Sequence, residues 1–221
     1  MHHKKNKSDF FEFIDSNKLE SFKYAIFDLD DTLYNYQICN DYAISIILDH
    51  FYHEFNIDKK TSLNTYLEAR NYINKNLKNT SSMHSRFLYL KKTVEVLALD
   101  NSFHNTIKLY DIFWESFFNK MKLFKWVMPV FKKLKKNNIK IVIATDFNAR
   151  IQFLKIINLS IDSYINEMVT SQEVGEEKPS KKFAKTILNS IEAEKSRIFY
   201  VGDNPNKDIF LTNFDVKTFI I

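Results

Sequence analysis

The stretch Tyr24-Ala25-Ile26-Phe27-Asp28-Leu29-Asp30-Asp31-Thr32-Leu33 decides the fold. Its first four residues form an apolar run of strand length, and the run breaks off at an acidic turn. Runs of the same kind occur at residues 139–144 (IKIVIA), 198–201 (IFYV) and 216–221 (VKTFII), with a weaker one at 168–170. Helical patterns separate them at 127–137, 149–157 and 181–189, with a short one near 208–214. Strands that alternate with helices predict an α/β fold, a parallel sheet with helices on both faces.

Residues 36–124 read differently. Phe87, Leu90, Val94 and Leu97 recur at helical spacing, as do Leu109, Phe113 and Phe117, and the segment holds no glycine or proline. The pattern predicts an all-α subdomain of about four helices, inserted after the first strand, with the aromatic stripes as its core. The α/β core then comprises 20–35 and 125–221, and residues 1–19 form an N-terminal leader.

Composition bounds the rest. The 221 residues are 45% hydrophobic and 27% charged, which is ordinary for a globular chain of one or two domains. Glycine is scarce, Gly175 and Gly202 alone, and with three prolines this argues against collagen-like or low-complexity segments. The single cysteine, Cys39, rules out an intramolecular disulfide framework and a multi-cysteine zinc site. No apolar signal core follows the basic start and no stretch approaches the ~20 apolar residues of a membrane span. A cytoplasmic location, with no membrane partner, is the expectation. The net charge of +5 comes from dispersed lysines. The densest group, Lys132, Lys133, Lys135 and Lys136, surrounds Phe131 and Leu134 and reads as the solvated face of an amphipathic helix, not a nucleic-acid patch.

Candidate functional residues collect at the C-terminal ends of the expected strands, the edge at which open parallel sheets bind ligands. Asp28 and Asp30 follow the first strand, Thr145 the second, and Asp203 the fourth, with Asp208 close behind. Lys178 precedes the helix that leads to the fourth strand. Such residues suit phosphate-ester hydrolysis, which is extremely slow without a catalyst. A carboxylate, Asp28, attacks phosphorus and divides the reaction into two easier displacements. Asp28 and Asp203 supply oxygens to a hard cation, Mg²⁺, that offsets the repulsion between nucleophile and substrate. Asp30 protonates the leaving alcohol and then activates water. Thr145 and Lys178 hold the phosphoryl oxygens through a hydroxyl and a point charge. Acidic residues after strands also serve merely as helix caps or turn formers. It is the ordered set that argues for a site.

The order of these motifs, Phe27 to Tyr34, then Thr145, then Glu177-Lys178-Pro179-Ser180, then Gly202-Asp203-Asn204 with Asp208, resembles the four motifs of the haloacid dehalogenase-like (HAD) hydrolase superfamily. The helical insertion stands where that superfamily carries a C1-type cap. The resemblance implies an aspartyl-phosphate on Asp28, and metal ligation by Asp28, by the Asp30 carbonyl and by Asp203. It places Asp208 in an outer, water-mediated role, and it assigns Thr145 and Lys178 to the transferring phosphoryl group. Asp30 favours a phosphatase over a dehalogenase, which lacks that acid. A phosphomutase and a non-catalytic binding protein on the same fold are the other readings. The implied substrate is a small phosphorylated metabolite, and the implied assembly a monomer or homodimer. The pattern departs from the family in having no glycine shortly after the first motif and none before the last strand. Secondary candidates for substrate contact are Tyr34, Tyr36, His84, Arg86, Asn148 and Arg150. His50 and His53, at i and i+3, read as surface or packing residues rather than a metal pair, and His2 and His3 belong to the leader.

Overall fold

The structure is a computed structural model that describes residues 7–78 and 80–221. The chain divides into two compact units, one of residues 36–121 and one of the remainder. The larger unit is built on five parallel strands, β1 (Tyr24–Phe27), β2 (Lys140–Thr145), β3 (Ile165–Thr170), β4 (Ile198–Gly202) and β5 (Lys217–Ile220), in the order β3-β2-β1-β4-β5. The chain runs outward from β1 to β3, then returns to the other side of β1. The crevice between β1 and β4 is therefore the switch point of the sheet.

All four residues of β1 are buried, so its continuous apolar run reflects cover on both faces. On one face Tyr24, Ile26, Val142, Ala144 and Tyr200 meet Phe183, Ala184 and Ile187 of the helix Lys181–Ser190. On the other, Phe27 lies 5.2 Å from Phe131, and Phe199 lies 5.2 Å from Phe13, measured between ring centroids. Phe131 belongs to the helix Val127–Lys136, which buries Val127, Val130, Phe131 and Leu134 at i, i+3, i+4 and i+7. Its lysines lie outside that stripe, as the sequence predicts. The helix Ala149–Asn158 and the single turn Ser171–Val174 complete the unit's regular α elements after β2 and β3.

The leader expectation needs correction. Residues Lys7–Asp15 form a helix whose Phe10, Phe13 and Ile14 are buried. A 3-10 turn, Asn17–Ser21, then enters β1. Phe10 packs edge-on against Trp126 and Phe219, so this segment is part of the core and not an appendage. His2 and His3 lie outside the described residues. The short helix expected near 208–214 is also absent. Turns closed by i→i−3 bonds, such as Thr212 N–H to Ile209 O at 3.0 Å, lead to a 3-10 turn at Thr212–Phe214. The side chains of Asp208 and Asn204 accept from the nearby Asn204 and Asn206 N–H groups, both at 2.9 Å.

The smaller unit contains four α-helices among its described residues, Tyr36–Phe55, Lys59–Asn76, Arg86–Val96 and Ser102–Lys120. Ile47, Phe51, Tyr66, Tyr89, Leu90, Val94, Leu109, Phe113 and Phe117 are its buried stripes, so the aromatics are core. Cys39 is buried within the first of these helices. No described helix is long and apolar enough to cross a membrane.

In chain order, the α-helices are α1 (Lys7–Asp15), α2 (Tyr36–Phe55), α3 (Lys59–Asn76), α4 (Arg86–Val96), α5 (Ser102–Lys120), α6 (Val127–Lys136), α7 (Ala149–Asn158), α8 (Ser171–Val174) and α9 (Lys181–Ser190).

Candidate active site

Strand register fixes the site. Phe27 pairs with Ile143 on one side and with Val201 on the other. Asp28 follows Phe27 and donates its N–H to Val201 O at 2.9 Å, so the side chain emerges beside the end of β4. Thr145 ends β2 and Gly202 ends β4, which brings Asp203 to the same edge.

Lys178 is the hub. Its Nζ donates to Asp28 Oδ1 at 2.7 Å, to Asp208 Oδ1 at 2.8 Å and to Tyr200 OH at 3.1 Å. The Tyr200 hydroxyl donates to Asp208 Oδ1 at 2.5 Å, and the Asn204 N–H reaches Asp208 Oδ2 at 2.9 Å. Thr32 Oγ1 donates to Asp28 Oδ2 at 3.1 Å and lies 3.5 Å from Asp203 Oδ1. Carboxylate oxygens of Asp28, Asp203 and Asp208 all lie within 4.8 Å of one another, the one such group of metal-capable side chains among the described residues.

Burial dominates the electrostatics of the cluster. Burial pushes the Asp28 carboxyl from 3.8 up to about 8, against the pull of Lys178, and the neighbouring Asp208 pushes it the same way. Burial also acts to raise Asp208. There, however, Lys178 and the hydrogen bonds from Tyr200 and the Asn204 N–H prevail and hold the carboxyl below its ordinary value. Burial works against charge on Lys178, yet Asp208 and Asp28 keep its ammonium well above its ordinary value. One ammonium bridges two buried carboxylates, Asp28 and Asp208, and the Asp203 carboxylate lies alongside. Three carboxylates converging this closely form an all-oxygen donor set that suits a hard cation.

Asp30 and Thr145 meet elsewhere in the loop cluster. Lys155 Nζ donates to Asp30 Oδ1 at 2.7 Å and Oδ2 at 2.8 Å. Gln152 Nε2 donates to Thr145 Oγ1 at 2.5 Å and to Asp146 O at 2.9 Å, and lies 3.3 Å from Asp30 Oδ2. The Tyr34 hydroxyl also donates to Asp30 Oδ1. Asp146 braces the Lys178 loop, accepting from the Lys178 N–H at 2.9 Å and from Lys207 Nζ at 2.8 Å. Lys207 Nζ reaches on to Glu177 Oε2 at 3.3 Å. Burial opposes charge on Lys207, but Asp146 and Glu177 outweigh it and raise its pKa.

Of the sequence candidates, Asp28, Lys178, Asp203 and Asp208 come together, and Asp30 joins Thr145 through Gln152. The secondary candidates divide. Tyr34 touches Asp30. Asn148 is the N-cap of α7, accepting from the Ile151 N–H at 3.4 Å, and Arg150 is exposed. Within the helical unit Arg86 is buried, donating to Tyr36 OH, to Asn40 Oδ1 at 3.1 Å and to His84 O at 2.9 Å. Sequence reading missed Lys155, Gln152, Thr32, Tyr200 and Lys207. A lysine and a glutamine three residues apart, straight after a motif strand, were the available signal for the first two.

The family model of haloacid dehalogenase-like hydrolases matches residues 25–217. The chain belongs to this family. Among curated proteins, it is 26% identical over 186 residues to a ribulose-1,5-bisphosphate 5-phosphatase of Halopiger xanaduensis, covering 84% of this chain and 78% of the relative. It is 27% identical over 198 residues to a glyceraldehyde 3-phosphate phosphatase of Methanocaldococcus jannaschii, covering 85% and 78%. Solved HAD structures share the fold. A HAD phosphatase from Thermococcus onnurineus superposes with a TM-score of 0.66 at 17% identity, over 90% of this chain and 86% of its own. A 2-haloacid dehalogenase from Pseudomonas syringae pv. Tomato gives 0.72 at 20%, over 89% and 85%. This HAD-like hydrolase therefore carries the α/β core of both phosphatases and dehalogenases, and only its own site residues can choose between the two chemistries.

Proposed function

We propose that this HAD-like hydrolase is a Mg²⁺-dependent phosphatase that hydrolyses a small phosphorylated metabolite through an aspartyl-phosphate on Asp28. The observation that carries the reading is the buried Asp28–Lys178–Asp208 bridge with Asp203 alongside. The donor set is all carboxylate oxygen, which fits a hard divalent cation that Asp28 and Asp203 would hold, with the Asp30 carbonyl as the family implies. Asp208, already taking hydrogen bonds from Lys178, Tyr200 and the Asn204 N–H, orients Lys178 and would stand outside the direct ligands, as the family implies. When bound, Mg²⁺ supplies positive charge to the phosphoryl oxygens and to the nucleophile.

The chain's residues account for the remaining steps. An Asp28 oxygen forms a bond to phosphorus as the ester P–O bond breaks, and Asp30 gives its proton to the departing alcohol oxygen. In the second displacement Asp30 takes a proton from water. The water oxygen bonds to phosphorus, the Asp28–phosphorus bond breaks, and inorganic phosphate leaves. Lys178 offsets charge beside the nucleophile, and the Thr145 hydroxyl holds a phosphoryl oxygen. Asp30, at the heart of its own hydrogen-bonded cluster, favours phosphoryl transfer over dehalogenation.

The two phosphatase relatives are named for sugar phosphates, which supports a substrate of that size and charge. The test is a panel of phosphorylated metabolites with Mg²⁺, led by ribulose 1,5-bisphosphate and glyceraldehyde 3-phosphate, with Asp28→Asn as control. Release of phosphate by the native chain and none by Asp28→Asn is the expected result. Inactivity across the panel, or full turnover by Asp28→Asn, overturns the reading.

A further inference from the structure

We propose that Lys155 is a positioning residue that sets the carboxylate of Asp30, aided by Gln152; the inference rests on the phosphatase reading above. Lys155 lies on α7, and its side chain is fully buried, whereas that of Asp30 is 26% exposed. Lysine is almost never buried completely unless it is paired. Here the ammonium sits between the rings of Phe147 at 5.1 Å and Tyr34 at 5.9 Å and reaches both Asp30 oxygens. An apolar residue beside Ile151 and Ile156 would pack that face of α7 without desolvating a charge. The fold instead spends a buried ammonium on one carboxylate, the one the reaction asks to give and take a proton.

Gln152, nearly one turn earlier on the same helix, makes the second connection. Its Nε2 joins Asp30 Oδ2 to the Thr145 hydroxyl. One helix therefore sets both the acid/base carboxylate and the hydroxyl that holds the phosphoryl group. Lys155 exchanges no atom with the substrate. Its effect is to keep the Asp30 oxygens where the leaving oxygen and then the attacking water must meet them, a placement on which proton transfer depends steeply.

The two displacements make the role measurable. The leaving group of p-nitrophenyl phosphate departs as a stable anion and needs no proton, so formation of the phosphoenzyme bypasses Asp30. Its hydrolysis does not. With Mg²⁺, Lys155→Met is expected to release about one equivalent of nitrophenolate in a burst and then turn over about 10- to 100-fold more slowly than the native chain, a part of what a positioned acid/base contributes. Glyceraldehyde 3-phosphate, whose alkoxide must be protonated, should show the slowing without a burst. Lys155→Arg should recover part of the rate, and Lys155→Met combined with Asp30→Asn should be no slower than Asp30→Asn alone. Lys155→Gln keeps a polar side chain of similar length beside Asp30 and should give the same split, so it decides the matter if Lys155→Met does not fold. Native-like turnover of both esters by the variants, or losses that multiply in the double variant, overturns the role of Lys155 while leaving the phosphatase reading intact. A native chain that hydrolyses neither ester overturns both.

Discussion

Replacing Gly202 by alanine tests the packing behind the site. Gly202 is buried, ends β4 and pairs with Ile220 of β5, so its backbone has no freedom to retreat. An added Cβ would overlap the carboxyl carbon and Oδ2 of Asp208 and lie 2.7 Å from Asp208 Cβ. Carbon atoms in contact settle at about 3.5–4.0 Å. Asp208 must therefore move, and in moving it abandons Lys178, Tyr200 and the Asn204 N–H. Overpacking of this kind costs about 1–3 kcal/mol. Stranding buried polar partners costs about 1–3 kcal/mol more. The sum is about 2–6 kcal/mol, and at roughly 2–4 °C per kcal/mol for a chain of this length the melting temperature should fall by about 4–24 °C. Thermal unfolding followed by circular dichroism in EDTA measures it. Gly175→Ala is the contrast. That residue ends α8 at φ +80°, and its nearest neighbour is the flexible Lys182 Nζ at 3.4 Å, so only the left-handed strain of about 1–2 kcal/mol is expected. A Gly202→Ala chain that melts within about 2 °C of the native one would refute the argument that Asp208 cannot make room without abandoning its partners.

Three further outcomes follow from the charges. Lys178→Met leaves two buried carboxylates without their ammonium and should destabilise the chain by about 3–5 kcal/mol; urea titration checks it, and unchanged stability would count against the hub. The Asp28 carboxyl is raised in the fold from 3.8 to about 8, so its contribution to stability is present below about 4 and is lost as pH rises through 8. Melting temperature in EDTA should fall over that window, and the slope should flatten in Asp28→Asn; a melting temperature that rises across the window in EDTA argues against the shift. Finally, EDTA should stop ester hydrolysis and Mg²⁺ restore it, whereas full ester hydrolysis in EDTA would overturn the metal requirement.

Much of the site was legible because strand ends are legible. Asp28 and Asp203 each follow a short, wholly apolar run, and a parallel sheet forces such positions onto one edge. What escaped was carried by residues that look ordinary locally. Lys155 stands in a helix whose Phe153 and Ile157 are 57% and 59% exposed, while Gln152 and Lys155 are buried. Ile151 and Ile156 are buried beside them, so apolar residues lie on both faces and the pattern does not single out the inner one, while a buried lysine reads as one more surface charge. Tyr200 lies in the run IFYV and reads as core, because its hydroxyl gains a partner only when the chain brings Asp208 back to it. Phe10, Phe13 and Ile14 did carry the i, i+3, i+4 signature of an amphipathic helix, yet only contact with Trp126 and Phe219, more than a hundred residues on, shows what that face is for.

The central claim is that Asp28 forms a bond to phosphorus. Asp30→Asn chain mixed with p-nitrophenyl phosphate and Mg²⁺, quenched in acid within the burst and digested for mass spectrometry, tests it directly. The account predicts the mass of one phosphoryl group on the peptide that contains residues 24–33, localised to Asp28. Release of nitrophenolate with Asp28 unmodified at every quench time would contradict it.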